Sequence, residues 1–270
     1  MSRDLAKAPF LIPGQLRGIV YTDLDGTLLD FDTFLPSPSA IATVKELVEV
    51  GVMTVPVTSK TLSEVEQLAA ILPLAPIAAA EGGAVLHLAG GDPRLLGPPR
   101  SELIAILRTL QAEGWPVRGL SEMGAGEVAT ITGLSAAASE RALQRLASEP
   151  FTFVSTPGEG VAALERRVRE LGGNLVRGGR LWHLLGAGVD KGTAIDEVKA
   201  CMPMTASVPA AAVGDAWNDL EMMCKVEHRF LLGTTVPEAD IPCAVERIAE
   251  RGPAGFVEAM LRFRMSLKGS

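Results

Sequence analysis

The chain has 270 residues, 47% hydrophobic and only 4% aromatic, with a formal net charge of -7. It is long enough for one large domain or two smaller ones, and its small apolar residues suit an α/β core. Basic residues are scattered without a long Lys/Arg run, which argues against a nucleic-acid partner, and no uninterrupted apolar stretch is long enough to span a membrane.

Residues 1 to about 15 read as an extension, without a signal-peptide pattern, ahead of a buried strand over 18–24. Ile41, Val44, Leu47 and Val48 recur at helical spacing from Ser39 to Val50, and Gly51 ends that helix. Met53–Val57 is the next strand. Thr61-Leu62-Ser63-Glu64 forms a capping box that opens a helix to about Leu72, and Pro76–Ala80 is a third apolar run. This strand–helix alternation predicts a Rossmann-like parallel sheet.

The pattern changes after Gly82-Gly83. Residues 90–100 read as a loop. Helices are expected near 101–113 and 135–148, with Ser101 and Ser135 as N-caps. Strands are expected at 151–155, 174–177 and 181–185, with a helix through Val161, Leu164, Val168 and Leu171 between the first two. Alternation then resumes with a helix over Lys191–Cys201, a strand over 207–213, a helix over Leu220–Val226 and a final strand at Phe230–Leu232. The tail after about Met265 reads as loose. The expected organisation is a core of residues 1–84 and 188–270 interrupted by an α+β cap of residues 85–187. Cys201, Cys224 and Cys243 lack CxxC spacing and read as reduced thiols of a cytoplasmic protein.

Chemistry concentrates where strands end. Asp23 and Asp25 are two residues apart after the first strand, so an extended backbone points both the same way while Leu24 enters the core. Gly214-Asp215-Ala216-Trp217-Asn218-Asp219 follows another apolar strand, and in a parallel sheet the carboxyl ends of the strands share one rim. Asp23, Asp25 and Asp215 are therefore expected to surround one Mg²⁺, a hard cation that takes oxygen ligands. The plain alternative is a pair of Asp-rich turns and helix caps. Thr58 ends the second strand beside backbone N–H groups suited to phosphate, and Lys191 opens a helix where it can screen a carboxylate from a phosphate dianion.

DLDGT, Thr58, Lys191 and GDxxND, in that order, resemble the haloacid dehalogenase superfamily of phosphotransferases. More narrowly, TSKT, Ser148-Glu149-Pro150-Phe151, Gly178-Gly179-Arg180 with His183, and Asp190-Lys191-Gly192 look like the mannosyl-3-phosphoglycerate phosphatases. The resemblance implies that Asp23 is the nucleophile and Asp25 the acid and base. It implies that Mg²⁺ is held by Asp23, Asp215 and the Asp25 backbone carbonyl. Thr58 and Lys191 would grip phosphate, with Asn218 and Asp219 orienting Lys191 and the metal waters. It assigns substrate contacts to Lys60, Ser148, Glu149, Gly179, Arg180 and His183, with Arg180 suited to a glycerate carboxylate. The implied partner is a small phosphorylated sugar acid. Another sugar phosphate, a phosphomutase reaction and a non-catalytic sugar-phosphate binder are the alternatives. Two departures stand out: Ala80-Glu81-Gly82-Gly83 replaces the family's usual Glu-Asn-Gly-Gly, and Trp217 is bulky for the acidic loop, where it would narrow the entrance or cover the site.

Overall fold

The structure is a computed structural model and describes residues 16–156, 158 and 160–268. The expected N-terminal extension lies outside the described residues. In chain order the elements are β1 (Gly18–Thr22), α1 (Pro38–Glu49), β2 (Val52–Pro56), α2 (Leu62–Ala69), β3 (Ile77–Ala80), β4 (Val85–Leu88), β5 (Arg94–Leu95), α3 (Arg100–Ala112), β6 (Val117–Gly119), α4 (Ala125–Thr132), α5 (Ala136–Ala142) and β7 (Glu149–Phe153). Then follow α6 (Val161–Glu170), β8 (Gly173–Arg177), β9 (Trp182–Gly186), α7 (Lys191–Cys201), β10 (Ala210–Gly214), α8 (Leu220–Met223), β11 (His228–Leu232), β12 (Glu246–Ile248) and α9 (Gly252–Lys268).

Five strands form a parallel sheet in the order β12-β11-β10-β1-β2. This is the predicted Rossmann-like α/β core. β3 continues it beside β2 through a parallel bridge between Val57 and Ala79. Residues alternate across β1: Ile19 and Tyr21 pack with Ala194, Ile195 and Val198 of α7, while Val20 faces Val44 and Leu47 of α1 and Phe256, Met260 and Phe263 of α9. A sheet covered on both faces needs apolar residues at successive strand positions, and all five residues of β1 are buried.

A second, antiparallel sheet has the order β6-β7-β9-β8. It has its own core, in which Leu103 and Leu107 of α3 and Leu164 and Val168 of α6 meet Phe151 and Leu184. β4 and β5 fall within residues 85–187, but β4 pairs with β3 and β5 with β4, and neither pairs with this sheet.

Several expectations are corrected. α9 runs to Lys268, so the segment after Met265 is helical over its described part. The spacing of Phe256, Ala259, Met260 and Phe263 carries the helical period, and α9 buries that stripe. β4, β5, β6, α4 and β12 are additional elements, β5 lying within the expected 90–100 loop. The expected 135–148 helix stops at Ala142, although Ser135 does cap it, accepting the Ala138 N–H. Ser101 lies inside α3 because Pro99, extended at φ -63° and ψ 154°, takes the N-cap position instead. Cys224 and Cys243 form a disulfide between the end of α8 and the loop before β12. The fold brings their Cα atoms to 5.8 Å, a proximity that 19 residues of sequence separation does not announce. Cys201 remains free and exposed. Among the described residues no helix is long and apolar enough to cross a membrane.

Candidate active site

The ends of β1 and β10 lie side by side, with the Asp23 N–H donating to the Val213 carbonyl at 2.9 Å. Beyond β1 the chain doubles back, and the Leu29 N–H reaches the Leu24 carbonyl at 2.8 Å. Gly26 makes that turn at φ +79°, and a Cβ there would lie 2.6 Å from Asp215 Oδ2. The glycine thus lets the two acidic loops touch, while Leu24 is fully buried as expected.

Lys191 ties the loops together. It is the first residue of α7, where Asp190 and Thr193 cap the helix reciprocally. Its ammonium, 1% exposed, donates to Asp23 Oδ1 and to Asp219 Oδ1, each at 2.6 Å. The other Asp219 oxygen accepts the N–H groups of Asp215 and Ala216 at 2.9 and 3.0 Å, so Asp219 shapes the loop that presents Asp215.

Carboxylate oxygens of Asp23, Asp215 and Asp219 lie within 4.8 Å of one another. One buried ammonium faces three buried carboxylates. Burial pushes the Asp23 carboxyl up to about 7, with Asp219 adding to the rise and Lys191 opposing it. Burial, then Asp219 and Asp23, push Asp215 up to about 8. Burial disfavours the charge on Lys191, but Asp219 and Asp23 outweigh it and hold Lys191 above its ordinary range. The excess of negative charge, presented entirely by oxygen donors, fits a hard divalent cation. The Asp25 carboxylate is not part of this group. It turns to Lys60, whose Nζ is 3.0 Å from Oδ1 and 3.3 Å from Glu64 Oε1.

A cavity opens over these residues. Asp23, Asp25, Lys60, Asp215 and Asn218 line its floor, and Gly179, Arg180 and His183 reach it from the second sheet. Thr58 is fully buried and does not line it. Its hydroxyl accepts the Lys60 N–H at 3.2 Å. Ser148 and Glu149, expected to meet substrate hydroxyls, do not line it either. Ser148 donates to Glu81 at 2.6 Å, and the buried Glu149 carboxylate is held by Arg100 Nε and the Ser121 N–H, both at 2.7 Å. Arg180 lines the cavity, but its guanidinium donates to the Phe31 carbonyl and stacks on Phe31 and Phe34, with Cζ 3.9 and 4.5 Å from the ring centroids. Trp217 does not line it. Arg177 of β8 stacks over Trp217 at 4.0 Å, which joins the second sheet to the acidic loop.

Sequence reasoning missed Arg145, which lines the cavity from the turn after α5. The helical pattern over 135–148 concealed it, because in the structure the chain leaves the helix three residues earlier. Phe31 and Phe34 were also passed over, although two aromatics in a chain so poor in them were an available signal.

A family model described as haloacid dehalogenase-like hydrolase matches residues 20–93, which include the Asp23 loop and Thr58. That segment of the chain is similar to the haloacid dehalogenase-like hydrolases. A glucosyl-3-phosphoglycerate/mannosyl-3-phosphoglycerate phosphatase of Persephonella marina is 28% identical over 230 residues, covering 79% of this chain and 84% of that protein. A phosphatase of the haloalkanoate enzyme superfamily from Bacteroides thetaiotaomicron superposes with a TM-score of 0.68 at 20% identity, covering 94% of this chain and 98% of the other. A subclass IIB sugar phosphatase superposes at 0.64 and 17% identity, covering 92% and 99%. These likenesses support a phosphoric monoester hydrolase.

Proposed function

We propose that the protein is a Mg²⁺-dependent phosphatase of mannosyl-3-phosphoglycerate or a close glycosyl-3-phosphoglycerate. The observation that carries the reading is Asp23 at the floor of a cavity it shares with Asp25, Lys60 and Arg180. A buried carboxylate beside cations suits a dianionic ester, and the name of the Persephonella relative supplies the substrate class. In this reading residues 85–187 act as a cap that selects the substrate over a core of residues 1–84 and 188–270.

Lys191 holds Asp23 Oδ1, so Oδ2 is the oxygen that attacks phosphorus. As the Asp23–phosphorus bond forms, the ester P–O bond breaks, and Asp25 donates its proton to the leaving sugar-acid oxygen. Asp25 then takes a proton from water, whose oxygen attacks phosphorus and expels the Asp23 carboxylate. Thr58 supports the phosphate loop through the Lys60 N–H. Asp219 and Asn218 keep Lys191 and the Asp215 loop in place. Mg²⁺, held by Asp23 and Asp215 with Asp219 or the Asp25 carbonyl, would offset charge on the transferring phosphoryl group.

The test is phosphate release from glucosyl- and mannosyl-3-phosphoglycerate and from a panel of other sugar phosphates, with Mg²⁺ and with chelator. The two glycosyl phosphoglycerates are expected to give the highest kcat/KM, and chelator to abolish turnover until Mg²⁺ is restored. Equal or faster turnover of ordinary sugar phosphates would overturn the substrate, and activity indifferent to chelator would overturn the metal.

A further inference from the structure

We propose that Arg145, positioned by Glu81, binds the substrate carboxylate and makes the enzyme selective for phosphorylated sugar acids. The inference rests on the phosphatase reading above and assigns its acid-recognising residue.

The other cations that line the cavity, and Lys191 beneath it, are already committed. Lys191 is shared by Asp23 and Asp219, Lys60 by Asp25 and Glu64, and Arg180 is stacked on two rings with a donor given to Phe31. Arg145 differs. Its Nη1 donates to the Ser59 carbonyl at 3.1 Å and to the Ser148 hydroxyl at 3.0 Å, and its Nε donates to the Ala142 carbonyl at 3.0 Å. All three acceptors are neutral. Among the described residues no carboxylate lies within ion-pair distance, and Nη2, with two N–H groups, has no protein acceptor. Glu81 and Glu64 act on it only through space, and a half-buried guanidinium with no carboxylate bonded to it is well served by an anion that completes it.

A second group in the same cavity also lacks a partner. His183 is 6% exposed, and its Nδ1 is buried with no hydrogen bond. Burial, with Arg145 and Lys191 nearby, keeps the ring neutral. A neutral imidazole keeps one nitrogen able to donate. Leu120, Val128, Leu134 and Ala142 complete the surroundings, so charge-assisted bonds there are weakly screened. Arg145 and His183 together suit a carboxylate with a neighbouring acceptor oxygen, the pattern of C1 and C2 of a 3-phosphoglycerate whether or not C2 carries a sugar.

Glu81 sets the position of Arg145. Its carboxylate accepts the N–H groups of Leu146 and Ala147, at 2.8 and 3.1 Å, and the Ser148 hydroxyl at 2.6 Å. The turn carrying Arg145 is therefore anchored immediately after it. Glu81 holds a left-handed backbone, φ +54°, to reach this turn.

The test compares 3-phosphoglycerate with glycerol 3-phosphate, which differ in a carboxylate against a hydroxymethyl group. The wild type is expected to prefer the carboxylated ester. Arg145→Gln should reduce that preference on the order of 10- to 100-fold, mostly through KM, as expected for loss of a charge-assisted bond. Arg145→Lys should recover part of it, and Arg180→Gln should retain it. Glu81→Gln should weaken the preference less than Arg145→Gln does. Because Nη1 also supports Ser59, Mg²⁺-dependent thermal shifts establish that each variant is folded, and Arg145→Lys carries the test if Arg145→Gln is not. Absence of preference in the wild type, its persistence without Arg145, or equal loss on both esters overturns the proposal. Failure of the substrate reading looks different: glycosyl phosphoglycerates are then turned over no faster than other sugar phosphates, while the matched-ester preference still depends on Arg145.

Discussion

The Glu81 carboxylate accepts the Ser148 hydroxyl at 2.6 Å across 67 residues of sequence, joining the end of β3 to the start of β7. Two backbone N–H groups, of Leu146 and Ala147, end on the same carboxylate. The sequence placed Glu81 where the family usually has asparagine, and the structure gives that carboxylate three donors. Removing it leaves buried donors unmet, at about 1–3 kcal/mol for each unsatisfied group. Glu81→Gly relieves the left-handed backbone and yet should lower the unfolding free energy by about 2–4 kcal/mol, because the lost acceptor outweighs the relieved strain. Denaturant unfolding decides the sign: a Glu81→Gly protein as stable as the wild type would show that the anchor contributes nothing.

Asp23 and Lys191 should separate catalysis from stability. Asp23→Asn is expected to reduce kcat at least about 10³-fold. It also removes one carboxylate from a buried group of three, so the metal-free variant should be as stable as the wild type or more so. Lys191→Met should do the opposite to the fold, leaving Asp23 and Asp219 uncompensated at about 3–5 kcal/mol. Thermal melts in chelator, alongside turnover in Mg²⁺, check both.

The pH dependence of the metal-free protein follows from the raised carboxyls. Asp23 and Asp215 titrate near 7 and 8 in the folded chain, against about 3.9 in an unfolded one. Between about pH 4 and pH 8 the folded state therefore binds more protons, and these groups make stability fall as pH rises. His183 acts in the other direction. Burial lowers it to about 3, so it costs stability as pH falls below its unfolded value of about 6.5. From about pH 6.5 to 8 the aspartates act alone. The melting temperature in chelator should fall across that window, and the increase on adding Mg²⁺ should be larger at pH 8 than at pH 6.5. A Mg²⁺ shift independent of pH would contradict the carboxylate assignment.

The Cys224–Cys243 bridge should stabilise the fold without serving the reaction, since neither cysteine lines the cavity. A closed loop of this length corresponds to about 3 kcal/mol in the chain-entropy account. Reductant, or Cys224→Ser with Cys243→Ser, should lower the melting temperature while leaving kcat/KM within about twofold, a margin smaller than one lost hydrogen bond. Loss of activity in a protein that remains folded would tie the bridge to the site.

Much of the core was legible in the sequence because its signals are local. The apolar runs of β1 and β10, the glycine after Asp25, the Thr61–Glu64 capping box and the helix that Lys191 opens each follow from the chemistry of a few neighbouring residues. The meeting of Asp23 and Asp215 followed from one rule, that carboxyl ends of parallel strands share a rim, while the resemblance implied Lys191 and Asp219 beside them. The substrate side was read less well. Ser148 and Glu149 looked like polar contacts for a sugar, yet both are spent on Glu81, Arg100 and the Ser121 N–H. Asp25 looked like a third carboxylate beside the cation, yet Lys60 takes its side chain and Asp219 stands near Asp23 and Asp215 instead.

The sequence by itself therefore determined the parallel core and the order of its acidic strand ends, since periodicity, capping and turn chemistry act over a few residues, and its resemblance to a known family implied the lysine that faces them. Only the tertiary structure decided which polar groups remain free for a ligand. That depends on partners 49 to 168 residues away, as for Arg100 with Glu149 and Lys191 with Asp23. A side chain is available to substrate only when no such partner has satisfied it, and sequence spacing carries no record of that.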